Sequence, residues 1–265
     1  MELYFNAVLL GVLEAATEFL PVSSTGHLIL LGHVLGFEGE GADVFKVAIQ
    51  LGAILAVCVL YFSRLWTVFI NLPTKPEARR FAAAVLIAFL PAAVLGAALH
   101  GFIKEVLFSP YVVCTALVVG GFAILLAEKY APKSRIHAVE EMNWLTSIKV
   151  GICQCLALIP GVSRSGATIL GGLLMGLDRK TATEFSFFLA IPTMFGATAY
   201  DLFKSRDLLT MDDMTVIGIG FVTTFVVALC VVKWAVGFIA RHGFAPFAYY
   251  RIVLGIFGLA ALTWL

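Results

Sequence analysis

The sequence predicts an all-α polytopic membrane protein, built as an inverted-topology repeat with six transmembrane helices and two re-entrant helix hairpins. Three observations support this fold class: an apolar composition, six long apolar segments, and a repeat that contains two pairs of short ones. Of the 265 residues, 61% are hydrophobic and 13% are charged, and the mean hydropathy is +0.98. Soluble domains average about 25% charged residues. The composition therefore excludes a mostly water-facing surface, and the net charge of +1 gives no basis for nucleic-acid binding.

Six segments approach the ~20 residues that a helix needs to cross a bilayer. They cover about 43–62, 81–100, 107–127, 184–203, 214–234 and 247–265. Four shorter apolar segments cover about 3–19, 27–37, 146–159 and 166–177. The short segments form two pairs, each interrupted by a turn rich in Pro, Gly and Ser, at Pro21–Gly26 and Pro160–Gly166. Two half-length helices joined at mid-depth are typical of a re-entrant hairpin, which needs protein or a wet cavity to cover its backbone.

The two short pairs also resemble each other in sequence. Gly11–His33 aligns without a gap on Gly151–Leu173. The identical pairs are Gly11/Gly151, Val22/Val162, Ser23/Ser163, Gly26/Gly166, Ile29/Ile169, Leu30/Leu170 and Gly32/Gly172. We therefore predict one membrane domain over 1–265, with repeat one at 1–127, a cytoplasmic linker at 128–145 and repeat two at 146–265. Three spans per repeat is an odd number, so repeat two enters the membrane inverted, and a site is expected near the midplane between the repeats.

The orientation follows from the distribution of lysine and arginine. One side of the predicted topology carries Arg64, Lys75, Arg79, Arg80, Lys129, Lys133, Arg135, Arg179, Lys180 and Arg241. The opposite loops carry Lys104, Lys204 and Arg206 together with Glu38, Glu40, Asp43, Glu105, Asp207, Asp212 and Asp213. Because basic loops stay in the cytoplasm, both termini are expected outside, and the tips of the two hairpins are expected to meet in the middle.

The remaining local signals indicate no processing or disulfide chemistry. The N-terminal residues start with an acid and lack the basic region of a cleavable signal peptide. The five cysteines lie in or beside apolar segments at no metal-ligand spacing, so we expect them to serve as apolar packing residues.

Two carboxylates lie on one face of the first half-helix. Glu14 and Glu18 are one helical turn apart, so their side chains share a helix face. Like charges there repel unless a proton or a divalent cation separates them, and hard cations such as Mg²⁺ or Ca²⁺ prefer carboxylate oxygens. A metal site at Glu14 and Glu18 is the functional interpretation, and plain exposure at an outer mouth is the alternative.

The first turn contains three consecutive hydroxyl residues and a nearby histidine. Ser23, Ser24 and Thr25 precede the second half-helix, where a hydroxyl can serve as an N-cap and free N–H groups can bind an anion. Two mechanisms fit the spacing: Ser24 attacks with His27 as its base, or His27 attacks directly and Ser24 orients it. A third route is attack by a metal-bound water. We favour Ser24 as the nucleophile.

The second turn contains Arg164 between Ser163 and Ser165. A buried arginine at mid-depth needs an anionic partner, and its planar fork suits phosphate. A structural ion pair with Glu14 or Glu18 is the alternative. Together the two tips carry a nucleophile, carboxylates, an arginine and two helix N-termini, which are the parts that phosphoryl transfer requires. Because the site lies within reach of lipid, the phosphate ester could carry a hydrophobic tail.

These two motifs, "EAATEFLPVSSTGH" and "PGVSRSGAT", closely resemble the signatures of the BacA-type undecaprenyl-diphosphate phosphatases, and the resemblance covers essentially the whole chain. It implies hydrolysis of undecaprenyl diphosphate to undecaprenyl phosphate and inorganic phosphate at the outer face of the bacterial inner membrane. This reaction recycles the lipid carrier for cell-wall synthesis, and the family is associated with bacitracin resistance. The resemblance also implies that Glu14 and Glu18 are essential acids, that Ser24 and His27 are a catalytic pair, and that Arg164 binds phosphate.

The other polar and glycine residues of the two tips are expected to contact the substrate. They are Ser23, Thr25, Gly26, Gly161, Ser163, Ser165 and Thr168. Expected partners are a polyprenyl diphosphate lipid and the bilayer, with a homodimer as the candidate oligomer. The rival hypothesis is a secondary transporter or lipid flippase with a midplane site built from the same hairpins. A non-catalytic membrane scaffold is a third hypothesis, although it leaves Arg164 unexplained.

Overall fold

The computed structural model describes residues 2–37, 39–205 and 211–264 and confirms an all-α polytopic membrane protein. Glu38, Arg206 and Asp207, which enter the charge count above, lie outside these residues. The described residues form no strand, only an isolated bridge between Ile136 and Leu177. They form eleven α-helices: α1 Glu2–Thr17, α2 Ser24–Val34, α3 Glu40–Leu60, α4 Phe62–Asn71, α5 Pro76–Phe102, α6 Pro110–Tyr130, α7 Trp144–Cys155, α8 Arg164–Leu174, α9 Arg179–Ser205, α10 Met211–His242 and α11 Ala245–Trp264.

Four helices in the described ranges are long and apolar enough to cross a membrane alone, namely α5, α6, α10 and α11. A fifth candidate is the pair α3 and α4, which bends by 72° at the break between them. The predicted span 43–62 corresponds to α3, and α4 lies beyond it. The remaining predicted span, 184–203, corresponds to α9, a helix of 27 residues. That α9 crosses the membrane stays a prediction. The segment between α6 and α7 covers 131–143, inside the predicted linker, because α6 continues to Tyr130 and α7 begins at Trp144.

The short helices lie where the sequence predicts two hairpins, and they begin at equivalent positions. The helix α2 starts at Ser24 and α8 starts at Arg164, which are paired in the gapless alignment of the repeats. Each is capped by the serine before it, because Ser23 Oγ accepts from Gly26 N at 3.3 Å and Ser163 Oγ accepts from Gly166 N at 3.1 Å. Among the described residues other than glycine, these two serines alone have positive φ, at 71° and 74°.

This capping corrects one detail of the sequence-based prediction. Ser24 and Thr25 do not precede the second half-helix but form its first turn, and Ser23 alone is the cap. A non-glycine residue with positive φ costs about 1–3 kcal/mol and is found mostly at functional sites. The strained serine turns the chain at the start of α2, where Ser24 is the first helical residue.

The packing of the long helices relates the two halves of the chain. The helix α1 of the first half packs on α10 of the second, and α7 of the second half packs on α5 of the first. The equivalent helices α3 and α9 pack on each other, as do α6 and α11. A two-fold relation between the halves would produce this pattern. The inverted insertion of the two hairpins into a membrane stays a prediction.

Two of the repeated glycines explain the exchanged pairs. A Cβ on Gly11 would lie 2.8 Å from the carbonyl oxygen of Gly220 on α10, and a Cβ on Gly151 would lie 2.5 Å from that of Ala88 on α5. Real Cβ atoms do not approach so closely, and small residues allow helix backbones to pack at short distance. The same glycine therefore recurs because each half-helix crosses a long helix of the other half at this point.

The loop ends that the sequence assigns to the cytoplasm gather on one side of the molecule. Arg64 beyond α3 donates to Glu140 in the linker at 3.1 Å. At the start of α9, Arg179 donates to Glu128 at 2.9 Å, and the same carboxylate oxygen accepts from the backbone N–H of Phe244 at 2.9 Å. The first contact joins α4 to the linker, and the others join the ends of α6, α9 and α10 to one another.

Candidate active site

The turns of the two hairpins contact each other, as the sequence analysis predicts for their tips. Ser165 Oγ of the second hairpin donates to the carbonyl oxygen of Leu20 in the first at 2.7 Å, and it also lies 3.0 Å from Ser163 Oγ. A Cβ on Gly26 would lie 3.5 Å from the Cα of Gly161. Functional side chains from the two halves of the chain are thereby brought to one place.

A buried arginine that the sequence analysis missed holds the two turns together. Arg251 on α11 is 1% exposed. Its guanidinium donates to five backbone carbonyls, those of Pro21 at 3.0 Å, Ala116 at 3.1 Å, Leu117 at 3.4 Å, Gly161 at 2.9 Å and Val162 at 3.1 Å. The five N–H groups of an arginine are all used. A single charge inside the apolar segment 247–265 was the sequence signal that could have found it.

Glu18 contacts both Ser24 and Arg164, and these three residues form the polar cluster of the site. One oxygen of its carboxylate accepts a short hydrogen bond from Ser24 Oγ. The other accepts from Arg164 Nη2 at 2.8 Å and so forms a buried ion pair between the two hairpins. The carboxylate therefore orients both the hydroxyl that the sequence analysis favours as nucleophile and the arginine that it assigns to phosphate.

Arg164 is also held from the side by α9. Its Nη1 donates to the carbonyl oxygen of Ser186 at 2.9 Å and lies 3.3 Å from Ser186 Oγ. The Thr168 hydroxyl, one turn along α8, donates to Ser186 Oγ at 2.7 Å. The Arg164 Nε–H is buried without a hydrogen-bond partner in the part of the chain that the structure describes. Arg164 is thus fixed in place and keeps one buried donor for a ligand.

Both ring nitrogens of His27 contact groups other than Ser24. Its Nδ1 lies 2.7 Å from the carbonyl oxygen of Ser23, and its Nε2 lies 2.7 Å from the hydroxyl of Tyr250 on α11. The two rings are nearly parallel, with centroids 5.6 Å apart. His27 is one helical turn beyond Ser23, and its ring bridges the Ser23 carbonyl and α11; its role as a base for Ser24 stays a prediction.

A cavity of about 470 Å³ opens beside this cluster. Seven of the predicted site residues line it: Glu18, Ser23, Ser24, Thr25, Gly161, Ser163 and Arg164. The other predicted residues, Glu14, Gly26, His27, Ser165 and Thr168, lie behind its wall. Gly26, Ser165 and Thr168 therefore shape the two turns without facing the cavity. Gln50, Gln154 and Thr193 also line it. Gln154 is the repeat counterpart of Glu14, whereas no motif in the sequence indicated Gln50 or Thr193.

The far wall of the cavity is apolar and rich in small residues. It is formed on α5 by Phe89, Ala92, Ala93, Gly96 and Ala97, with Leu158 and Phe108 nearby. Pro91 and Pro192 lie inside α5 and α9, among the residues of each helix that line the cavity. A proline inside a helix removes one backbone hydrogen bond and bends the helix. With Glu18 and Arg164 on one side and the apolar residues of α5 on the other, the cavity has an ionic end and an apolar end.

Glu14 is fully buried behind Glu18. Neither of its carboxylate oxygens has a hydrogen-bond partner within the described residues. A carboxylate buried in this way requires a proton or a cation, so Glu14 with Glu18 fits the donor set of a hard divalent ion. Groups of three or more metal-ligating His, Cys, Asp or Glu side chains are absent from the described ranges.

Comparison with known proteins places this site in a family context. Residues 7–257 match the family model of the bacitracin resistance protein BacA. A protein of Paramagnetospirillum magneticum named undecaprenyl-diphosphatase 2 is 55% identical over 250 residues, which cover 94% of this chain and 95% of that protein. Undecaprenyl-diphosphatases of Caulobacter vibrioides and Aromatoleum aromaticum are each 54% identical, over 97% and 100% of this chain and 96% of theirs.

Proposed function

This chain belongs to the BacA family of bacitracin resistance proteins, and from that membership we propose that it hydrolyses undecaprenyl diphosphate to undecaprenyl phosphate and inorganic phosphate. The protein is a membrane-embedded hydrolase of a phosphoric anhydride, and its reaction recycles a lipid carrier for cell-wall synthesis. The observation that carries the proposal is the cavity that joins the Glu18, Ser24 and Arg164 cluster to an apolar wall.

The amphipathic cavity matches the two ends of a prenyl diphosphate. Arg164 and the N-termini of α2 and α8 provide donors and positive charge for the diphosphate. The small side chains on α5 leave room for the first units of the prenyl chain, which continues toward the lipid. A water-soluble phosphate ester would gain nothing from this apolar end, so the cavity favours a lipid substrate.

The hydrogen bonds of Glu18 suggest a covalent mechanism. Ser24 Oγ attacks the terminal phosphorus while its proton passes to the Glu18 carboxylate, to which it is already hydrogen-bonded. The bond between the terminal phosphorus and the bridging oxygen breaks, and undecaprenyl phosphate leaves with the proton that Glu18 returns. Water then attacks the phosphoserine and gives a proton to the Glu18 carboxylate. That proton restores the Ser24 hydroxyl as inorganic phosphate departs.

His27 and Glu14 have supporting roles in this proposal. His27 links the Ser23 carbonyl to Tyr250 and so fixes the strained turn that carries Ser24. Glu14 and Glu18 would hold a divalent cation, Mg²⁺ or Ca²⁺, which supplies positive charge to the diphosphate when bound. The binding of substrate by Ser23, Thr25, Gly161 and Ser163 is part of the same proposal.

The membrane location rests on the helices, and the orientation rests on charge. Four to five apolar helices make the protein multi-pass. We place it in the bacterial inner membrane, with both termini and the active site facing the periplasm, because the basic loop ends gather on the opposite side. A homodimer stays a prediction. The relatives named as phosphatases do not favour the transporter or flippase alternative.

A phosphate-release assay tests the proposal. The purified protein in detergent should release inorganic phosphate from a polyprenyl diphosphate, and Ser24→Ala should abolish the release. Glu77→Gln is a matched control, because Glu77 is an exposed acid in the first turn of α5 and does not line the cavity. Wild-type protein that is folded but releases no phosphate from any prenyl diphosphate would refute the proposed function.

A further inference from the structure

Gln154 is the buried polar residue of the cavity that the mechanism above does not use. It lies near the end of α7, is 1% exposed, and lines the cavity that also contains Glu18 and Arg164. Its Oε1 accepts from the hydroxyl of Thr193 on α9 at 3.3 Å. Its Nε2 has no hydrogen-bond partner within the described residues. A buried amide nitrogen without an acceptor is costly, and such a group needs an explanation.

The repeat gives this position a counterpart. Gln154 aligns with Glu14 in the gapless alignment of the two halves, and the two side chains are buried at equivalent points of the two half-helices. Both end in atoms without a partner in the described ranges, but their chemistry is opposite. The Glu14 oxygens can only accept or carry charge, whereas the Gln154 nitrogen donates. The carboxylate suits a cation or proton, and the amide suits an anion.

Arg164 has a similar free donor in the same cavity. Its Nε–H is buried and without a partner among the described residues, while its two terminal nitrogens contact Glu18 and Ser186. Two residues that line one cavity, on α7 and α8, therefore each keep one buried donor without a partner in the described ranges. A diphosphate carries several oxygens that accept hydrogen bonds, and charged acceptors give the stronger ones.

From this arrangement, and resting on the proposed function, we infer that Gln154 is a substrate-positioning residue whose Nε2–H groups donate to an oxygen of the diphosphate. The contact of Oε1 with Thr193 holds the amide at the cavity wall and leaves Nε2 without a partner among the described residues. The role goes beyond charge neutralisation, since a neutral amide fixes the direction of one phosphate oxygen relative to Ser24 without adding charge.

Two variants of similar shape test the inference. Gln154→Met removes the donor and keeps the volume, and Gln154→Glu replaces the donor by an acceptor. Loss of a hydrogen bond to a charged oxygen is expected to lower kcat/KM by about 10- to 150-fold in Gln154→Met. Gln154→Glu should lose more, because its carboxylate repels the diphosphate. Thr198→Val is the matched control: its hydroxyl is also buried and unpartnered in the described ranges, but it does not line the cavity.

A binding measurement separates this inference from the proposed function. Inorganic pyrophosphate should raise the melting temperature of the wild-type protein and of Thr198→Val, and it should raise that of Gln154→Met much less. This result supports the inference even if the wild type hydrolyses no prenyl diphosphate. Equal pyrophosphate stabilisation of wild type and Gln154→Met would overturn it. Gln154→Glu with higher activity than Gln154→Met would also overturn it, because the amide oxygen, and not the nitrogen, would then face the ligand.

Discussion

Replacing Glu18 with glutamine tests whether Glu18 or His27 takes the proton from Ser24. The two residues differ sharply in their contacts. Glu18 accepts from Ser24 Oγ and from Arg164 Nη2, whereas both ring nitrogens of His27 are directed to Ser23 and Tyr250. Glu18→Gln keeps the size of the side chain, removes the charge and leaves Ser24 without a basic partner.

The contacts predict a larger fall in kcat/KM for Glu18→Gln than for His27→Gln. Removal of a general base costs about 10²–10⁴-fold in rate. Because Glu18→Gln also removes the ion pair that orients Arg164, we expect kcat/KM to fall toward the upper end, about 10³–10⁴-fold. His27→Gln loses two neutral hydrogen bonds of about 0.5–1.5 kcal/mol each. If that loss appears fully in the transition state, kcat/KM falls by about 5- to 150-fold.

The assay is phosphate release from a prenyl diphosphate over a range of substrate concentrations, with melting temperatures measured for each variant. Tyr250→Phe provides a second check, since it removes one His27 contact and should be milder than His27→Gln. Rapid acid quenching should trap an acid-stable adduct on Ser24. A folded His27→Gln protein that is as inactive as Glu18→Gln would refute the assignment, and an acid-labile adduct lost only in the His27 variant would make His27 the nucleophile.

Four further predictions concern other parts of the site. Arg251→Met leaves five backbone carbonyls without their donor, so the melting temperature in detergent should fall steeply together with activity; a stable, active variant would contradict the role of Arg251 in holding the turns. Arg164→Lys keeps the charge but loses the planar fork, so kcat/KM should fall at least about tenfold, and near-normal kinetics would leave only a point-charge role. Gly96→Phe should fill the apolar end of the cavity and raise KM for long prenyl chains more than for short ones, whereas Gly96→Ala should be tolerated because its Cβ would lie 3.4 Å from Leu158 Cδ2. Strong chelation should abolish turnover if Glu14 and Glu18 hold a divalent cation, and full activity in chelator would remove the metal from the mechanism.

The sequence predicts much of this architecture because helices and turns depend on local patterns. Apolar length identifies the long helices, and the Pro, Gly and Ser clusters mark the two hairpins. The gapless repeat places both hairpin helices at equivalent positions, and α2 and α8 do begin at the paired residues Ser24 and Arg164. These two residues stand out in the sequence because polar groups are rare and costly in apolar surroundings. The candidate site is therefore visible in the sequence as a set of residue types.

Local patterns do not determine which side chains meet across the fold. The predicted span 43–62 corresponds to α3, but the sequence pattern does not reveal the bend of 72° into α4, which has no proline at the break. The sequence spacing of Ser24 and His27 suggests a catalytic pair, but it does not reveal that His27 Nε2 contacts Tyr250, on the last helix of the chain. Sequence spacing cannot reveal such a contact, because it depends on how the hairpin is held.

The tertiary structure alone decides the partners of the buried charges. Glu18 and Arg164 lie in different halves of the chain, and their ion pair exists because the two hairpin turns are packed against each other. Arg251 contacts carbonyls from both turns and from α6, a role that requires three separate segments to converge. The repeat pairs Gln154 with Glu14, but only the tertiary structure places Gln154 beside the cavity. The sequence determines which helices form and which polar groups must be buried, while the crossing of those helices determines where the donors, acceptors and charges find each other.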